Sequence, residues 1–558
     1  MSNSPDGAPE VPAGPGPSEP EYVDSEPRDR AWREWLLLGV GCFLMAAALR
    51  FVRIGYSEFF GAEFRSLDLL SGQRQPSLLA ALLHGELSIY YPLLSLWTRF
   101  SGLTSEALLR LPSAMLGLLA WLAFFAFSRS YLRGTAFLIC ILVFALNPIL
   151  VESSNDVAPY ALLALCTVLA NYMAVRALDK GGRANWIGYA AASTAGVLTH
   201  PLFWFVLPAH FLFAVLRRRR TPEPFRGIST AGIAIIPLVA AGLAIYANRS
   251  FPELAGARTQ APSVSDLLRN LVSVAIGNFQ RFGANEFARG IMYVYILACL
   301  GLSYVYYRKR SAEAMAMPEN VVWIDETQDV VGRWQRLSLR AFLLFQWFTF
   351  LVPALGIMLM GSVLPGLRLT PEMFIIVLPP LIVLIAMGID AAPRNLIVSL
   401  GLLLVLGMAN YDVRTLSDRG YGIKQAFELI RKEVKFDPAK DAILYTAPKQ
   451  IRRSVEQYRN ELPATAIEAA DKTEEFVERQ QRLEKLMQNR DRAIVIYHDD
   501  SRTIGKSEGR SPVREWMKPN NGFELADRKW TDKDLSPVEK TELRVYTRRA
   551  AGLPATPE

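Results

Sequence analysis

Cysteine and histidine are scarce: the 558 residues hold four of each. Cys42, Cys140, Cys166 and Cys299 all sit inside apolar runs, which reads them as small packing residues and excludes a disulfide framework. No spacing of His and Cys suits a metal ion. Also missing are an internal repeat and any basic stripe interleaved with aromatic residues, and the second absence argues against a nucleic-acid partner. Charge is withheld in a patterned way. Half of the residues are apolar (51%) and the mean hydropathy is +0.18, with Asp, Glu, Lys and Arg kept out of long runs in the first 410 residues. Runs of about 18 to 22 residues match a helix crossing the roughly 30 Å hydrocarbon layer.

The pattern predicts a polytopic membrane protein of about eleven helices. The spans fall near Trp35 to Phe51, Leu111 to Phe127, Ala136 to Val151, Tyr160 to Ala177, Trp186 to Thr199, Leu202 to Leu216, Ile228 to Ala247, Ile291 to Tyr307, Ala341 to Met360, Met373 to Gly388 and Leu396 to Ala409. Lys and Arg collect in loops kept on the cytoplasmic side. With this count Arg28 to Arg33, SRSYLRG (128–134), RALDKGGR (176–183), RRRR (217–220), RKR (308–310), Arg333 to Arg340 and Arg394 share one side. The net charge of +8 is then mostly inner-loop anchoring against anionic lipid.

The ends differ from this middle. Residues 1–28 are Pro-rich and acidic, which predicts a disordered cytoplasmic tail and not a cleaved signal. Residues 29–410 form the membrane domain, with a long first outer loop over 53–110. Within 411–558, strand-like runs AILYTA (442–447), AIVIYHD (493–499) and ELRVYT (542–547) alternate with helical stretches, predicting a small α/β domain outside the membrane.

On the outer face the count gathers ionisable groups that would otherwise be scattered. Glu58, Glu63, Asp68 and Glu86 lie in the first loop, whose leucines and tyrosines, Tyr91 among them, suit interfacial helices. ILVESSNDVAPY (149–160) interrupts two apolar stretches with Glu152 and Asp156; His200 closes another, and Arg368 with Glu372 flank a proline at a fourth break. Any one of these has an ordinary reading, Asp156 as a helix cap and His200 as a ring held by a backbone group. Together, boundary charges are costly unless paired or used, and a shared outward cavity accounts for them.

Several of these stretches resemble the GT-C class of polytopic glycosyltransferases, on the protein O-mannosyltransferase and aminoarabinose-transferase (ArnT-like) branch. EFFGAEFRSL (58–67) is similar to the family's first-loop acidic motif, and YYPLLSLWTRFSGLTSEALLRLPSAMLGLLAWL (90–122) to its interfacial run leading into the second span. ALNPILVESSNDVAPYALLAL (145–165), the Thr-His pair in VLTHPLFWFVLP (197–208) and RLTPEMFIIVLPPLIVLIAMG (368–388) resemble later motifs. The departures are Ala62 where the family has Asp, Asp156-Val157-Ala158 for Glu-Ala-Arg, Glu372-Met373 for Arg-Tyr, and the missing His-Pro-Pro before Tyr90, with His84 nearby.

The resemblance implies an integral-membrane glycosyltransferase moving a sugar from a polyprenyl-phosphate donor to a lipid, glycan or protein acceptor on the extracytoplasmic face. It implies a bacterial inner-membrane placement with the N-terminus cytoplasmic and the C-terminal domain periplasmic. By position, Glu63 and Asp156 are the expected catalytic acids, and Arg53, Arg65, His84, Tyr91, His200 and Arg368 the expected substrate-binding residues. A divalent cation stays open. Two other readings stand beside this one: a relative that binds lipid-linked sugar without transfer, motivated by Ala62 and Ala158, and a transporter, disfavoured by the missing repeat.

Overall fold

The computed structural model describes residues 26–52, 54–55, 59, 63, 66–67, 88–101, 105–132, 134–217, 269–270, 275, 286–316, 339–363, 371–393, 408, 423–446, 455–456, 458, 462–466, 473–498, 523–530 and 541–548. The expected spans near Ile228 to Ala247 and, save Met408, Leu396 to Ala409 lie outside them.

The apolar runs become helices: α1 (Glu26–Phe51), α2 (Tyr90–Ser101), α3 (Glu106–Tyr131), α4 (Gly134–Leu146), α5 (Pro148–Ser154), α6 (Tyr160–Lys180), α7 (Arg183–Thr199), α8 (Val206–Arg217), α9 (Glu286–Ala316), α10 (Leu339–Val363) and α11 (Leu378–Ala391). Pro201–Phe205 and Pro371–Val377 are 3₁₀ turns leading into α8 and α11. Among the described residues four helices are long and apolar enough to cross a membrane, five if a bent pair counts as one. The chain is an integral membrane protein.

That bent pair corrects the uninterrupted span expected over Ala136 to Val151. The chain breaks by 45° between α4 and α5. Pro148 has no N–H to continue the α4 ladder, and the Asn147 side chain accepts the Leu150 N–H at 3.2 Å, so a new helix starts there.

Helices in lipid gain little from the hydrophobic effect on meeting one another, so close contact carries their association. α9 packs along α11, and α6 along both α3 and α7. Gly388 of α11 lies against the Cys299 carbonyl of α9, where any Cβ would collide. Aromatic rings tie α3 outward, with Phe124 stacked on Phe144 at 4.1 Å and Tyr131 on Phe342 at 4.8 Å.

The C-terminal segment is α/β, as expected. It comprises α12 (Ile423–Leu429) continued by a π turn, β1 (Asp441–Thr446), β2 (Ala464–Ala466), α13 (Thr473–Met487), β3 (Arg492–His498), β4 (Phe523–Trp530) and β5 (Thr541–Arg548). The sheet runs β2-β1-β3-β5-β4, parallel at β1–β2 and β1–β3 and antiparallel beyond β3. Alternation along β3 sorts the two faces: Ile494 and Ile496 pack with Phe427 of α12 and Val455, while Ala493 and Val495 pack with Leu483 and Met487 of α13. β2 and β4 lie outside the three strand-like runs read from the sequence. β4 is polar (FELADRKW) and, among the described residues, pairs only with β5, so no apolar run marks it.

Candidate functional site

Arg110 enters α3 in its second turn, next to the apolar stretch that follows, where an unpaired cation would be costly. Its guanidinium meets Glu63 as a two-pronged pair, Nε to Oε1 at 2.8 Å and Nη2 to Oε2 at 2.9 Å. The two side chains are 1% and 3% exposed, so this is an interior ion pair. A third donor of Arg110, Nη1, reaches the Ile54 carbonyl at 3.1 Å, and the Phe59 ring lies 5.3 Å from the guanidinium carbon.

Glu63 does more than neutralise Arg110. Its Oε1 also accepts the Val157 N–H at 3.0 Å, while Ser66 Oγ donates to the Val157 carbonyl at 2.5 Å. The segment carrying Glu63 and Ser66 is thereby stitched to the break between α5 and α6, one residue from Asp156. Asp156 is half-buried in that break. Burial pushes the Tyr90 phenol upward; its hydrogen bond to Ser113 opposes this, and the Tyr91, Glu63 and Asp156 charges add to it.

Two other helix breaks approach the same region. The turn Pro371–Val377, carrying Glu372, packs against α5 and α6 and against the turn Pro201–Phe205. His200 caps the latter turn: its Nδ1 accepts the Leu202 N–H at 3.2 Å, which leaves the ring proton on Nε2. The ring lies 5.7 Å from that of Tyr160. Tyr91, half-buried in α2, meets Tyr90 edge-on at 5.7 Å.

The expected residues thus divide. Glu63, Asp156, Tyr91 and His200 are described, and Glu63 meets the Asp156–Val157 backbone directly. Arg53, Arg65, His84 and Arg368, with Glu58, Asp68 and Glu86, lie outside the described residues.

Arg110 and Arg50 are not among the residues that the motifs single out. Each had a signal in the chain, an arginine at or inside an apolar run. Arg50, near the end of α1, is fully buried and donates through Nη1 to the Ala46 and Ala145 carbonyls at 2.9 and 3.3 Å. It packs beside Gly117 and Ser154, so α1, α3, α4 and α5 meet at this cation.

Residues 90–243 match the sequence model of the family described as dolichyl-phosphate-mannose-protein mannosyltransferase, a stretch that holds Arg110, Asp156 and His200. The match bears out the resemblance read from the motifs. No curated protein matches the chain. Among solved structures, ArnT from Cupriavidus metallidurans in the apo state is similar at 12% identity and a TM-score of 0.49, over 92% of this chain and 98% of that one. The same protein bound to undecaprenyl phosphate gives 14% and 0.46 over 94% and 99%. The archaeal oligosaccharyltransferase AglB from Archaeoglobus fulgidus, in complex with an inhibitory peptide and a dolichol-phosphate, gives 14% and 0.41 over 93% and 74%.

Proposed function

We propose that this chain is a membrane glycosyltransferase that moves a sugar from a polyprenyl-phosphate donor to an acceptor hydroxyl on the extracytoplasmic face. One observation carries the proposal: Glu63 of the first loop, clamped by Arg110, holds the backbone next to Asp156. Two distant segments that each carry an acid are therefore held together, and Asp156 lies within the stretch that matches a family named for lipid-phosphate sugar transfer.

The contacts of Glu63 support different roles for the two acids. Both oxygens of Glu63 are engaged, by two Arg110 nitrogens and one backbone N–H, which fixes the carboxylate and leaves it poorly placed to reach a substrate. Glu63 is accordingly a positioning residue. Asp156 is the acid that takes the acceptor proton. The acceptor oxygen then attacks the anomeric carbon as its bond to the phosphate breaks, and the polyprenyl phosphate departs with the electron pair. Arg53, Arg65 and Arg368 are assigned to the phosphate, with His200 Nε2–H as a neutral donor. The enzyme is placed in a bacterial inner membrane, its N-terminus cytoplasmic and its sheet in the periplasm.

The test uses the full chain in lipid nanodiscs, undecaprenyl-phosphate-linked hexoses and pentoses, and a membrane lipid and glycan extract as acceptor. Release of undecaprenyl phosphate is read by mass spectrometry. Asp156→Asn lowers that release by about 10²- to 10⁴-fold, the usual contribution of a general base; full retained turnover removes Asp156 from the mechanism. A second reading, binding without transfer, draws on the engaged state of Glu63 and on Ala62 where the family's own acid stands. Donor binding without release from the unmutated chain, unimproved by Ala62→Asp with Ala158→Arg, favours it.

A further inference from the structure

Tyr458 packs against two apolar cores at once, that of the membrane helices and that between α12 and the sheet. Its hydroxyl sits where the two parts meet. It accepts the Phe59 N–H at 2.6 Å and donates to Glu106 Oε1, also at 2.6 Å. Lys424, the second residue of α12, holds the other carboxylate oxygen of Glu106. Glu106 is the first residue of α3, where a negative charge also suits the helix terminus. Phe59 is in turn the ring beside the Arg110 guanidinium.

These contacts form one path from the sheet to the site. Tyr458 and Lys424 fix Glu106 and Phe59; Phe59 faces Arg110; Arg110 holds Glu63; Glu63 holds the break beside Asp156. The Tyr458 hydroxyl serves both neighbours, accepting from one and donating to the other, which a phenylalanine ring cannot do. Gly55 reinforces the approach from below, because a Cβ there would stand 2.9 Å from the Ala107 Cβ.

We infer that the C-terminal α/β unit is an integral part of the site, with Tyr458 and Lys424 as positioning residues that latch the first outer loop onto the start of α3. The inference rests on the proposed transfer reaction for its kinetic consequence and not for its structural one. Tyr458→Phe keeps the ring in both cores and removes the hydroxyl alone.

In the full chain in nanodiscs, hydrogen exchange at the Phe59 amide accelerates about tenfold or more in Tyr458→Phe, since its acceptor is gone. In the same preparation kcat for sugar transfer falls about tenfold while KM for the lipid donor changes less than about twofold, the signature of a misplaced catalytic group and not of lost binding. Lys424→Arg, which keeps the charge, retains transfer, and Lys424→Met loses it in step with Tyr458→Phe. Unchanged exchange at Phe59 overturns the latch. Faster exchange with unchanged kcat overturns its role in positioning. If the unmutated chain transfers no sugar, the functional reading fails while the exchange measurement still decides the latch. Should Tyr458→Phe not fold, Glu106→Leu, which removes the acceptor that orients the hydroxyl, is read in the same way from the other side.

Discussion

Arg110 and Glu63 have left water as a pair, and their worth differs according to what replaces them. Two charges taken out of solvent are repaid by mutual attraction only while both remain, so removing one leaves the other uncompensated. Arg110→Ala is expected to destabilise the protein by about 3–5 kcal/mol. Replacing both, Glu63→Leu with Arg110→Met, recovers most of that loss but not sugar transfer, because the Val157 N–H then loses its carboxylate acceptor. Thermal unfolding of the four members of the cycle in one detergent measures the coupling; additive losses would show that the pair stabilises nothing jointly. An arginine at the head of an apolar helix is visible in the chain, and its cost implies a partner. Which acid answers it is not visible, since 47 residues separate Glu63 from Arg110 and the sequence pattern puts seven carboxylates on the same expected face.

Helices followed from the apolar runs because lipid requires every backbone group to find its partner within the segment. What the runs did not disclose was the break at Asn147–Pro148, which lies inside a continuous apolar stretch and turns α5 toward the outer breaks. Nor did they identify which glycines are contact points. Gly388→Ala drives a methyl into the Cys299 backbone carbonyl and is expected to cost about 1–3 kcal/mol, as overpacking does. Gly41→Ala meets nothing within 4 Å and is expected to be neutral or slightly favourable. Melting midpoints of the two variants check the contrast; equal shifts would mean that α9 and α11 separate at little cost.

The path from Tyr458 to Asp156 requires the C-terminal sheet and the first loop to share one side of the membrane. With a membrane-impermeant maleimide on intact cells, Glu478→Cys in α13 is expected to label and Ala184→Cys, at the start of α7, only after lysis. Both positions are exposed, and the native cysteines are buried and silent. Labelling of both from outside would break the proposed orientation. The sequence by itself determined the membrane class, the helical character of the apolar runs that are described, the alternating C-terminal segment and the family likeness, because hydropathy, period and motif spacing are local properties of a chain. The tertiary structure decided the rest: that Arg110 takes Glu63, that Glu63 takes the Val157 backbone, and that Tyr458 closes onto Phe59 and Glu106. Such pairings join residues tens to hundreds of positions apart, and the choice among equally charged candidates is made by which helices can approach closely enough to leave no buried charge unanswered.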